Sequence, residues 1–294
     1  MKYMEKQPMI MIVIGVIGIS LSSIFVKYSP APSAVTAAFR LLWTVLLMTP
    51  VVLGKRETRA ELRGMSRKNL MLSALSGLFL AMHFWLWFES LAHTSVASST
   101  TIGCTEVIWV SLGYWLFMKG RLSARAVGAI AVTMLGSALV ACADSLSGGA
   151  QLYGDILALM AALAVAVYTL LGRTVRSTVS TTAYTYVVYC VCAAVLVALS
   201  LLQGQNLFGY GTSAPLVGLL LAVFCTILGH SVFSWCLKFF SPSFVSASKL
   251  CEPVVAAVLA GFLFGETPVW LQALGGVLIL GGVLYYSRIE KNGG

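Results

Sequence analysis

Residues 240–266 read FSPSFVSASKLCEPVVAAVLAGFLFGE, and residues 94–120 read TSVASSTTIGCTEVIWVSLGYWLFMKG. Laid over one another at a shift of 146, they set Ser95 on Ser241 and Glu106 on Glu252. The same shift sets Gly136 on Gly282 and Lys27 on Arg173, and a shift of 147 sets His83 on His230. One offset held from end to end implies two copies of one unit, residues 1–146 and 147–294.

Each copy is too apolar to face water. Hydrophobic residues are 59% and charged residues 10% of 294 positions, against about 45–50% and about 25% in soluble domains. The chain is therefore expected to be an all-α integral membrane protein. A bilayer core of about 30 Å takes roughly 20 apolar residues per helix. That ruler gives ten spans: 9–27, 32–53, 70–91, 95–118, 122–142, 152–173, 180–202, 214–237, 243–264 and 268–287. Clusters such as YSPAPS, KGRLS and QGQNLFGYGTS separate them, as Gly, Pro and polar residues do at short connections. The first run is too long for a signal-peptide core and lacks a small-residue cleavage site, so it reads as a retained span. Five spans per copy is an odd number, which requires the second copy to insert upside down relative to the first. Inverted repeats of this kind place substrate sites near the midplane of secondary transporters.

The net charge of +9 is read as topology rather than nucleic-acid binding. With the N-terminus and C-terminus both cytoplasmic, 16 of the 19 basic residues fall in cytoplasmic segments, six of them in KRETRAELRGMSRK at 55–68. That asymmetry is the positive-inside pattern. Lys27 lies at the outer side, and Arg40 and Lys249 are left inside spans. The seven cysteines have no metal-ligand spacing and read as small buried hydrophobes. Gly261, Gly265 and the doublets Gly275–Gly276 and Gly281–Gly282 suit close helix contact in lipid.

The ten-span length, the duplication, CEPVVAAVLAGFLFGET at 251–267 and LQALGGVLILGGVLYY at 271–286 together resemble the EamA type of the drug/metabolite transporter superfamily. The resemblance covers nearly the whole chain. Its most specific pieces are Glu252–Pro253 and Gly265–Glu266. It implies a carrier of small metabolites, amino-acid exporters among them, in a cell or inner membrane. The first copy departs from the pattern: Val107 follows Glu106 where a proline is common, and Gly120 stands where Glu266 stands in the second.

Charged side chains inside a span cost roughly 2.5–3.5 kcal/mol each on insertion scales, so Arg40, Glu106, Lys249 and Glu252 must pair, face inward or line water. Glu106 and Glu252 both fall near the midplane by residue count at 1.5 Å per residue. On an ideal helix Val245, Ser248, Lys249, Glu252, Ala256 and Leu259 share a face. Two readings stay open. Lys249 and Glu252 form an i,i+3 ion pair that neutralises both. Alternatively they line a cavity and bind a zwitterion, with Lys249 or Arg40 on a carboxylate and a glutamate on an ammonium, or with Glu252 carrying a proton. Pro253 frees the carbonyl of Lys249 and favours a kink that would act as a gate.

The remaining candidates follow the repeat. His83 and Trp87 share a face of span three, and His230 and Ser234 share a face of span eight. Tyr168 and Tyr186 fall where the repeat places Ser22 and Arg40, as aromatic contacts for a substrate. For the tryptophans generally, lipid packing and the interfacial belt compete with a cavity role. The candidate cavity residues are thus Lys249, Glu252, Glu106, Arg40, His83, His230, Trp87, Tyr168, Tyr186 and Ser248.

No D-x-x-D, H-E-x-x-H or G-x-S-x-G group is present, which disfavours a membrane-embedded enzyme, and no Gly-rich nucleotide loop suggests an ATP pump. The expectation is a non-enzymatic carrier without cofactor or metal, working by alternating access. Its partners are a small-molecule substrate, protons as a coupling ion and the lipid bilayer, with no nucleic acid. Export of amino acids or similar zwitterions leads; uptake of an amine, nucleoside or sugar-like solute is the alternative.

Overall fold

The computed structural model describes residues 8–94, 96–145, 152–252, 254–255 and 270–292, and every regular element among them is helical. The first copy holds α1 (Pro8–Ser20), α2 (Ser22–Lys27), α3 (Ser33–Gly54), α4 (Arg56–Arg63), α5 (Arg67–His93), α6 (Val96–Cys104), α7 (Glu106–Met118) and α8 (Ala124–Ser145). The second holds α9 (Leu152–Arg176), α10 (Thr181–Leu202), α11 (Ser213–Leu220), a π-helical segment (Leu221–His230), α12 (Ser231–Cys236), α13 (Pro242–Lys249) and α14 (Trp270–Asn292).

Seven helical stretches among the described residues are long and apolar enough to cross a membrane, and Ala124–Leu139 is a shorter one. The expected count of ten is therefore not reached on the described residues. Span 243–264 is described only as far as Val255, and Pro253, Gly261, Gly265 and Glu266 lie outside the described residues. Phe117, Leu202, Leu216 and Leu46 are exposed. A soluble protein would bury such side chains, whereas lipid solvates them.

Helix ends are set by short polar side chains. Ser66, Ser180 and Ser241 each accept, at 3.2 Å, from the amide three residues on, the N-cap geometry. Glu61 of α4 takes both the amide of Ser180, at 2.6 Å, and its hydroxyl. Glu290 of α14 holds Ser241 in the same way, at 2.5 and 2.9 Å. At the end of α7 Lys119 takes the left-handed φ of 53°, and the Gly120 amide donates to the Tyr114 carbonyl at 3.0 Å, which satisfies one of the last carbonyls of the helix. Arg173, in the last turn of α9, donates to the carbonyls of Leu237 and, at 3.2 Å, Phe240. These lie just past the C-terminus of α12, where a cation is favoured.

The duplication is visible in the packing. α3 packs along its copy α10, α8 along its copy α14, and the broken fourth helix meets its copy where α7 contacts α13. A Cβ on Gly136 would stand 2.7 Å from the Gly275 carbonyl oxygen and 2.9 Å from the Ile279 amide nitrogen. One on Gly282 would stand 3.1 Å from the Ala129 carbonyl oxygen and 3.2 Å from the Thr133 amide nitrogen. Ala129 and Thr133 are the shifted copies of Gly275 and Ile279, so the contact maps onto itself. Only glycine permits backbones this close. Of the two doublets, Gly275 and Gly282 serve this contact, whereas Gly281 meets nothing within 4 Å.

Two buried clusters flank the centre. One gathers Phe84, Tyr184, Tyr189 and Leu221 from α5, α10 and the π segment. The other gathers Phe233, Phe244, Val107 and Ile279 from α12, α13, α7 and α14.

Candidate substrate site

A cavity of about 70 Å³ is lined by residues of both copies. It takes in seven of the sequence candidates, Arg40, His83, Trp87, Glu106, His230, Lys249 and Glu252, together with Ser22, Phe84, Thr100, Gly103, Cys104 and Ser246. Tyr168, Tyr186 and Ser248 do not line it.

The two glutamates are placed there by matched helix breaks. α6 stops at Cys104, Thr105 makes a turn, and Glu106 opens α7. α13 stops at Lys249, Leu250 and Cys251 make a turn, and Glu252 resumes the helix. Tight i→i−3 bonds mark both turns: Thr105 N to Ile102 O at 3.0 Å, Leu250 N to Ala247 O at 3.1 Å, and Cys251 N to Ser248 O at 3.2 Å. Proline two residues after Cys251 accounts for the second break. The first break has no proline. There the Thr105 hydroxyl caps the Ile102 carbonyl at 2.6 Å, a local bond that competes with the helical ladder. A carboxylate at the start of a helical segment is favoured by the amide dipoles.

The i,i+3 pair between Lys249 and Glu252 is not formed, which corrects the first of the two sequence readings. Lys249 instead reaches across the copies, placing Nζ 2.8 and 3.1 Å from the two carboxylate oxygens of Glu106. The Ser246 hydroxyl donates to the same carboxylate at 2.8 Å and Thr169 at 3.3 Å. The turn at Leu250–Cys251 interrupts the helix on which the i,i+3 geometry depends, while Glu106 offers both oxygens. Among the described residues Glu252 has no ion pair within 4.0 Å and no hydrogen bond.

Arg40 is 1% exposed, yet no carboxylate of a described residue lies within 4.0 Å of it. Its Nε donates to the Thr226 hydroxyl at 2.7 Å, one Nη donates to Ser22 at 3.3 Å, and the guanidinium lies 4.0 Å over the Phe84 ring. These contacts use two of the five guanidinium N–H groups. Thr226 belongs to the π segment, a wide ladder that frequently marks functional positions.

The histidines complete the wall. His83 Nδ1 lies 3.0 Å from the Ala161 carbonyl, which can only accept, so Nδ1 carries a proton. His83 stacks on Trp87 with centroids 6.3 Å apart and planes at 6°. It lies 6.2 Å from His230, which meets Phe84 edge-on at 5.0 Å.

Three candidates are spent elsewhere. Tyr168 bonds Ser234 at 2.8 Å, though its ring packs 6.1 Å from His230. Tyr186 bonds Thr49 at 3.1 Å. Ser248 turns to the Phe244 carbonyl at 2.8 Å and leaves the polar role to Ser246. Ser246 sits one turn from Lys249, so its spacing was legible. The cysteines also divide: Cys192, Cys225 and Cys236 are buried, Cys104 lines the cavity, and Cys142 is exposed. Thr100, Gly103, Cys104 and Glu106 correspond, one for one, to Ser246, Lys249, Leu250 and Glu252 under the shift of 146, and all eight line the cavity.

Known proteins carry the same organisation. The EamA-like transporter family model matches twice, over residues 6–142 and 152–288, two segments separated by the offset seen in the sequence. An uncharacterized transporter of Archaeoglobus fulgidus is 24% identical over 250 residues, covering 84% of this chain and 85% of that protein. The uncharacterized transporter YxxF of Bacillus subtilis is 24% identical over 280 residues, covering 95% and 87%. One crystal structure superposes with a TM-score of 0.79 at 16% identity over 98% of both chains, a likeness of fold alone. With the family matched in both copies and the broken helices meeting at a shared polar cavity, this multi-pass membrane protein belongs to the EamA-like transporter family.

Proposed function

We propose that this transporter is a secondary carrier that exports small zwitterionic metabolites, amino acids above all, by alternating access around the central cavity. One observation carries the reading: Arg40 and Glu252 line the same cavity, and neither is ion-paired to a described residue. An uncompensated charge away from water costs several kcal/mol. A solute with a carboxylate for Arg40 and an ammonium for Glu252 relieves both charges at once. The Lys249–Glu106 pair is already satisfied and holds the copies together. Glu252 is also where a proton would ride in place of the solute's cation.

The carrier sits in the cell or inner membrane with both termini cytoplasmic, and residues 1–146 and 147–294 rock against each other as inverted halves. Direction follows the branch that the motifs resemble. The test is counterflow in proteoliposomes using labelled L-amino acids beside their methyl esters and N-acetyl derivatives. A zwitterion site moves the parent amino acids and neither derivative; equal movement of all three contradicts it. Cells fed dipeptides should release the freed amino acids faster when they make the carrier, and faster uptake instead would reverse the assigned direction.

A further inference from the structure

The two glutamates differ in what faces them, and the shift of 146 makes the difference explicit. Glu106 is met by Ser246, Lys249 and Thr169. Their counterparts under the shift are Thr100, Gly103 and Ser23. Both hydroxyl positions keep a hydroxyl, and the lysine is replaced by glycine. Thr100 and Gly103 line the cavity with Glu252. We propose that the space beside Gly103 is an ammonium subsite, in which the substrate's primary amine takes the place that the Lys249 ammonium takes at Glu106. This rests on the carrier reading above and names the half of the solute that Glu252 receives.

Gly103 is not explained by packing or backbone. A Cβ there would meet only the Trp87 indole nitrogen, at 3.9 Å, an ordinary contact. At Gly18, Gly77 and Gly136, by contrast, a Cβ would come within 2.6–2.7 Å of a backbone oxygen. Nor does Gly103 occupy the positive-φ region, which among the described glycines holds only Gly204, Gly209 and Gly211. The residue leaves room in a cavity that is also lined by a carboxylate without a partner among the described residues. The Lys249–Glu106 geometry is the template: one ammonium with N–H donors to spare, 2.8 and 3.1 Å from both oxygens of one carboxylate, beside a donating hydroxyl. A primary ammonium reproduces these bonds, whereas a quaternary ammonium has no N–H to donate.

The test compares wild type with Gly103→Lys and the double variant Gly103→Lys/Glu252→Gln in proteoliposomes and in detergent. Counterflow of L-alanine should fall about tenfold or more in Gly103→Lys, whose side chain fills the subsite. The introduced lysine should raise the unfolding midpoint by pairing with Glu252, and that gain should vanish in the double variant. Methylammonium chloride should raise the wild-type midpoint more than tetramethylammonium chloride at equal concentration, and should lose that advantage in Gly103→Lys. The subsite is overturned if Gly103→Lys transports normally, if its stability is indifferent to Glu252, or if the methylammonium advantage survives in it. Absence of L-alanine counterflow in wild type would count against the carrier reading for that solute, while the midpoint measurements still decide the subsite.

Discussion

Glu106 and Glu252 open the second segments of two broken helices related by one shift, yet one is held by a lysine and two hydroxyls while the other meets no described partner. The third helices diverge as well. α5 is regular, but its counterpart carries the π segment that presents Thr226 to Arg40. Near-identical frames have therefore been given different work. The first glutamate fastens the copies together, and in the proposed carrier the second receives the solute. In the proposed carrier, the paired frame supplies the opposed orientation of the halves that alternating access needs. In the proposed carrier, local departures from symmetry make room for the solute.

The largest expected effect is on the fastened side. Lys249→Met strands the Glu106 carboxylate and should cost about 2–4 kcal/mol of stability, because removal of one partner leaves a buried charge uncompensated; denaturation in detergent reads it. Arg40→Met should act the other way round. Transport of amino acids should fall about 100-fold in kcat/KM, near 2.7 kcal/mol, with little loss of unfolding midpoint because no described carboxylate depends on Arg40. A fall in midpoint as deep as that of Lys249→Met would erase the distinction.

The symmetric contact itself can be tested next. Gly136→Ala pushes a methyl into the facing backbone of α14 and Gly282→Ala pushes one into Thr133 of α8, and each should cost about 1–3 kcal/mol. Costs that differ severalfold would show that the contact is not a true self-copy. Smallest of all, Arg173→Ala should cost about 1 kcal/mol through the carbonyls it caps. Its copy Lys27 is exposed, and Lys27→Ala should leave the midpoint unchanged.

Membrane class and duplication were legible because both are written in composition and in one offset. The charged candidates were legible too, since an ionisable residue in an apolar run has few places to go. What escaped were relations between helices. The partner of Lys249 could not be read from a wheel that assumed an unbroken helix, and the first break forms at Thr105 although Val107 stands where the pattern suggested proline. The π segment has no periodic signature, so Thr226 stayed hidden. Tyr168 and Tyr186 matched the repeat by position, but their hydroxyls are satisfied by Ser234 and Thr49. Gly103 was missed because a residue without a side chain draws notice only when its copy is a lysine.

The central claim is that the two copies' glutamates do different jobs, and Glu106→Gln beside Glu252→Gln tests it most directly. Unfolding midpoints and L-amino-acid counterflow should be measured on the same preparations. Glu106→Gln should lower the midpoint markedly, while Glu252→Gln should keep it and lose transport about tenfold or more. Equal losses of stability, or wild-type transport by Glu252→Gln, would contradict it.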